Sequence, residues 1–164
     1  MRGQWLIAMT SLMLAATAGA DEAGQIKVAK GSAFVQRDGQ KLAASTGMKV
    51  QTADVLLTGA DGAIGVTFLD NSLISTGPNS VFAIDRYVFD STTHSGAFDG
   101  NLKKGTLAGV SGKMVKQAPE SMRIRTPASI MGVRGTEFVM RVNDPAADPA
   151  TTPATSPARM PATR

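Results

Sequence analysis

The sequence predicts an all-β domain built from many short strands, and three observations predict it. Apolar residues alternate instead of recurring at helical spacing, turn signals interrupt the chain at short intervals, and no long stretch keeps an i, i+3, i+4, i+7 stripe. With 17 glycines, 8 prolines and 18% charged residues in 164 positions, the composition favours strands and turns and excludes a coiled coil. Pattern alone leaves a β-sandwich and a solenoid-like stack both open.

Taken in order, the chain opens on Met1 and Arg2, an apolar run over residues 5–16, and Thr17-Ala18-Gly19-Ala20 before Asp21. A positive start, an apolar stretch and a small-residue cleavage site predict a secretory signal peptide over 1–20. The run is shorter than the ~20 residues that span a bilayer, and no later segment is apolar enough to do so. The expected product is exported, periplasmic or secreted, with no integral membrane segment once the leader is removed.

A folded domain is expected over 25–142. In it Ile64, Val66 and Phe68 share one face, Met122 and Ile124 alternate with Arg123 and Arg125, and Phe138, Met140 and Val142 alternate with Val139 and Arg141. Turns are expected at Asp38-Gly39, 58–62, Asp70-Asn71-Ser72, 77–80, Asp99-Gly100, Ser111-Gly112 and Arg134-Gly135. Glycines within 102–113 are read as corners of a hairpin or rung. From 143 onward, prolines at 145, 149, 153, 157 and 161 repeat at a four-residue period. That spacing blocks helix and sheet, and the intervening Ala and Thr bury too little to offset ordering entropy, so 143–164 is expected to be a disordered tail.

Much chemistry is excluded by composition. With no cysteine and one histidine, a thiol nucleophile, a disulfide and a multi-histidine metal centre are impossible. His94 lies with Asp90, Ser91 and Ser95 in one polar loop, whereas a catalytic triad is assembled from separate parts of a fold. Residues 102–113 lack the spacing of a phosphate loop, and Asp61, Asp70 and Asp99 read as turn residues bonded to backbone. No catalytic residue, cofactor or metal is expected.

Charge is divided unevenly. Residues 21–102 hold 6 basic and 9 acidic side chains, and residues 103–142 hold 8 and 2. Lys103, Lys104, Lys113, Lys116, Arg123 and Arg125 therefore form a candidate basic face for an anionic partner. Aromatic residues do not interleave with them as base stacking requires, so nucleic acid is not expected.

Four segments resemble the FecR domain, a bacterial extracytoplasmic module. They are Ile26-Lys27-Val28 through Gly31-Ser32-Ala33-Phe34-Val35-Gln36-Arg37; Asp54-Val55-Leu56-Leu57-Thr58-Gly59-Ala60-Asp61-Gly62 with Val66-Thr67-Phe68-Leu69-Asp70-Asn71-Ser72; Gly77-Pro78-Asn79-Ser80 with Asp85-Arg86-Tyr87; and Arg125-Thr126-Pro127-Ala128-Ser129-Ile130-Met131-Gly132-Val133-Arg134-Gly135-Thr136-Glu137-Phe138. Two positions depart from the pattern. Ala53 stands where the family often has glycine, and Asn71 stands at a second glycine position, where asparagine should keep the turn.

The resemblance implies a β-solenoid or β-roll over a sandwich. It also implies a non-enzymatic binding, scaffold or signalling module whose partner is an envelope protein; the charge distribution suits an anionic envelope polymer as well, and contact through strand edges and the basic face is expected. A purely structural role in an envelope assembly, or the binding of an anionic glycan or lipopolysaccharide, is the alternative. The segments expected in transmembrane regulators of that kind are not found here. Thr126, Pro127, Gly132, Arg134, Gly135, Thr136 and Phe138 are expected to be structural, with Arg134 satisfying buried carbonyls and closing the last strand against the core.

Overall fold

The computed structural model describes residues 22–135 and 137–143. The expected leader at 1–20, Thr136, and the expected tail beyond Asn143 lie outside the described residues. The strands are β1 (Glu22–Lys30), β2 (Ala33–Arg37), β3 (Gln40–Ala43), β4 (Lys49–Gln51), β5 (Val55–Thr58), β6 (Ala63–Phe68), β7 (Leu73–Thr76), β8 (Val81–Phe89) and β9 (Gly96–Val110), then β10 (Met122–Arg125), β11 (Ile130–Gly132) and β12 (Glu137–Val142). One short helix, α1 (Lys113–Gln117), follows β9. The all-β expectation holds.

Strand order runs β3-β2-β5-β8-β9-β7-β6-β1-β4, with β10 and β12 on the remaining edge of β9 and β11 beyond β10. This path doubles back because the strands are halves of longer bent arms. β1 and β2 form one arm, β5 and β6 the next, β7 and β8 the third, while β9 runs unbroken through its own bend. Each arm pairs antiparallel with its neighbour on both sides of the bend. The result is a curled, open antiparallel sheet whose two halves face each other across the core, and only β10 lies parallel to its neighbour β9 among the described pairings.

Polar groups stitch the bends together. The Gly59 amide donates to the Ser32 carbonyl (2.7 Å), and Thr58 Oγ1 donates to the Gly77 carbonyl (2.6 Å) while accepting from the Ser80 amide (2.8 Å). Ser80 Oγ accepts from the Thr106 amide at 2.9 Å. Gly105 turns β9 at φ +93°, and a Cβ there would lie 2.5 Å from Ser80 Cα. Only glycine meets both conditions.

The core follows the alternation read from sequence. On β6, Ile64, Val66 and Phe68 are buried, as are Met122 and Ile124 on β10 and Met140 on β12. Phe68 lies 4.9 Å from Phe98 and 5.2 Å from Tyr87, ring centre to ring centre, which joins the two halves of the sheet. Burying each such side chain is worth about 1.5–3 kcal/mol.

One expectation about turns is corrected. Asp99-Gly100 lies in the middle of β9, because Gly100 leaves room for the Phe82 ring: a Cβ would meet its Cζ at 2.6 Å. Of the hairpin and the rung read for 102–113, the hairpin is not formed: β9 continues through a corner at Gly105, and Ser111-Gly112 leads into α1.

Candidate docking site

Three polar arrangements hold the scaffold. Arg37 donates from Nε and Nη2 to the two oxygens of buried Asp54 (2.8 and 2.7 Å) and also to the Lys49 carbonyl (2.9 Å), tying β2 to β4. Its guanidinium is held above its ordinary pKa by the hydrogen bond to Asp54. Buried Asp70 accepts from Ser72 Oγ (2.6 Å), the Ser72 amide (3.1 Å) and the Tyr87 hydroxyl (3.2 Å). The Gly112 amide donates to Ser72 Oγ (2.8 Å), so this knot fixes where β9 hands over to α1. Burial pushes the Tyr87 phenol upward, and the Asp70 charge adds to it. Asp61 bonds to Ser32, a partner that lowers its carboxyl below the usual range.

His94 belongs to a different kind of site. Asp90 Oδ1 accepts from the Thr92 and Thr93 amides, the first of which chiefly lowers its pKa, and the imidazole stacks on Phe89 at 6.3 Å. These contacts build a turn at the tip of the β8–β9 hairpin.

The Thr-Pro to Phe motif folds into the last connections of the domain. Thr126 and Ser129 close the β10–β11 turn, with the Thr126 amide on the Ser129 carbonyl (2.8 Å) and Pro127 at its first corner. Gly132 ends β11 opposite Arg123. Val133 then plunges into the core, its amide on the Met122 carbonyl at 3.0 Å. Gly135, at φ +116°, offers its carbonyl to Ser111 Oγ at 2.5 Å. Phe138 packs against the core over Gly109. Thr136 lies outside the described residues.

Arg134 corrects an expectation. Its side chain is 74% exposed and pairs with Glu120, itself 76% exposed, at 3.0 Å. The reason is local: with Val133 buried, the next side chain along the chain is turned outward, away from the interior carbonyls. Two grooves flank this ion pair. One, of about 440 Å³, is lined by Ser111, Val115, Lys116, Pro119, Glu120, Arg134 and Gly135. The other, of about 350 Å³, is lined by Pro119, Glu120, Arg123, Ile130, Gly132 and Arg134.

Of the six predicted basic residues, two reach this feature and four do not line it. Lys116 and Arg123 line the grooves, and Arg125 stands two residues farther along β10 on the same outward side as Arg123. Arg125 lies beside Asn101 of β9, and Lys103 follows two residues on. Lys104 is opposite Val81, half-buried, and Lys113 is exposed at the start of α1. Sequence reasoning missed Pro119 and Glu120. The available signal was that Glu120 is the sole acid between residues 103 and 134.

The family described as "FecR protein" matches residues 54–152, 99 of the 164 positions. No curated protein matches. A solved "Cell surface anchoring domain" aligns at 27% identity over 38% of this chain and 83% of its own, with a TM-score of 0.37, too low to establish a shared architecture. No helix among the described residues is long and apolar enough to cross a membrane.

Proposed function

Since the chain belongs to the FecR protein family, an envelope-associated group of signalling and binding modules, we propose that it is a non-enzymatic periplasmic adaptor that docks an anionic segment of another envelope component along the grooves flanking Arg134. One observation carries the reading: the exposed arginine of the family motif, Lys116 and Arg123 converge on grooves whose lining holds a single acid, Glu120. β11 borders the second groove and pairs with β10 alone among the described strands, so an extended segment can lie along its open edge while its acids meet the basic side chains.

The test is capture from an envelope extract by the full chain and by Lys116→Glu/Arg123→Glu. Capture should be lost in the double variant and should fall sharply at about 0.5 M salt, where the Debye length shrinks to roughly 4 Å. Capture that survives both salt and charge reversal would refute the basic groove. Purifying and rebinding the captured anionic component separates protein from glycan.

A further inference from the structure

Among the described strands, β12 is one of the edges of the sheet. Among the described residues this strand pairs only with β9, leaving its other edge without a strand partner. At six residues it is longer than the edge strands β3 and β11. Glu137, Val139 and Arg141 point outward and are exposed, Val139 by 74%, whereas Phe138, Met140 and Val142 turn toward the core.

The outward residues have a symmetry of their own. Val139 is central, with an acid two residues before it and a base two residues after. We propose that β12 pairs antiparallel with β12 of a second copy of this chain about a two-fold axis at Val139. In this register Glu137 of each copy stands opposite Arg141 of the other, at both ends of the ladder, and Val139 faces Val139. On the inner side Phe138 stands opposite Met140, so the apolar layers of the two sheets join. A slip of one residue sets Phe138 opposite Arg141 and joins the polar face of one sheet to the apolar face of the other, which disfavours that register. The pairing rests on β12 and is independent of the groove around Arg134.

Sedimentation equilibrium of the full chain tests it. The unaltered chain should sediment as a dimer, and Arg141→Glu and Glu137→Arg should each shift to the monomer mass. An equimolar mixture of these two variants should return to the dimer mass, because opposite charges then meet at both ends. Far-UV circular dichroism checks that the variants fold, and Val139→Lys, at a position no core contact depends on, supplies a second route to the monomer. A monomeric unaltered chain, variants that all remain dimeric, or a mixture that stays monomeric would each overturn the proposal.

Discussion

Single residues carry several of the strongest constraints in this fold. Ala53 sits at φ +72° where its family often has glycine, while Asn71, at φ +66°, keeps its turn as its sequence implied. Left-handed backbone costs an alanine about 1–2 kcal/mol, part of which glycine returns as entropy of the unfolded chain. Ala53→Gly should therefore raise stability by about 0.5–1 kcal/mol, read as a higher melting temperature. Tyr87 argues through pH. Its phenol is held protonated in the fold above the ordinary value near 10, so its contribution is complete below about pH 10 and is lost as pH rises from there. Tyr87→Phe should cost about 1–3 kcal/mol, since the Asp70 carboxylate and amide lose a partner, and it should flatten the alkaline decline in a series of melting temperatures. Arg134 is the opposite case. An exposed pair contributes about 0–1 kcal/mol, so Arg134→Ala should leave the melting temperature nearly unchanged while weakening partner capture. A large thermal loss would restore the buried role first expected of it.

At the scale of elements, the bends decide the architecture. The clusters 58–62 and 77–80 were legible as turns, yet neither reverses the chain. Each instead redirects an arm that keeps the same neighbour on both sides. Local composition cannot separate the two outcomes, because glycine and asparagine relax the backbone in either. β9 shows the point most clearly: Asp99-Gly100 and Gly105 look alike in sequence, but the first serves the packing of Phe82 and the second the bend beside Ser80. Gly105→Ala combines a strained φ with a collision against Ser80, so it should destabilise the domain by more than about 2 kcal/mol in chemical unfolding. A smaller effect would show that the bend accommodates a side chain by moving. By contrast, the strands themselves were readable, since half-buried strands must alternate and β6 does so along its whole length.

On the scale of the whole molecule, the groove around Arg134 is built by one stretch of chain, residues 111–135, folded back on itself. Pro119 and Glu120 follow α1, Arg123 stands on β10, and Arg134 arrives after the β10–β11 hairpin, so the site takes shape only when that hairpin folds back toward α1. The uneven division of charge hinted that the final third of the domain would be the docking side, and the family motif marked Arg134 without showing which way it faces. What the sequence by itself determined was the all-β class, the faces of the clearest strands, the family, and a set of basic residues to consider. Those follow from period-two burial and from residue types, which are local properties. The tertiary structure alone decided that the turns are bends in continuing arms, that Arg134 points outward, and that Glu120 opposes it. The first depends on pairings between distant segments, and the other two on the burial of Val133, which turns Arg134 outward and which residue types alone do not show.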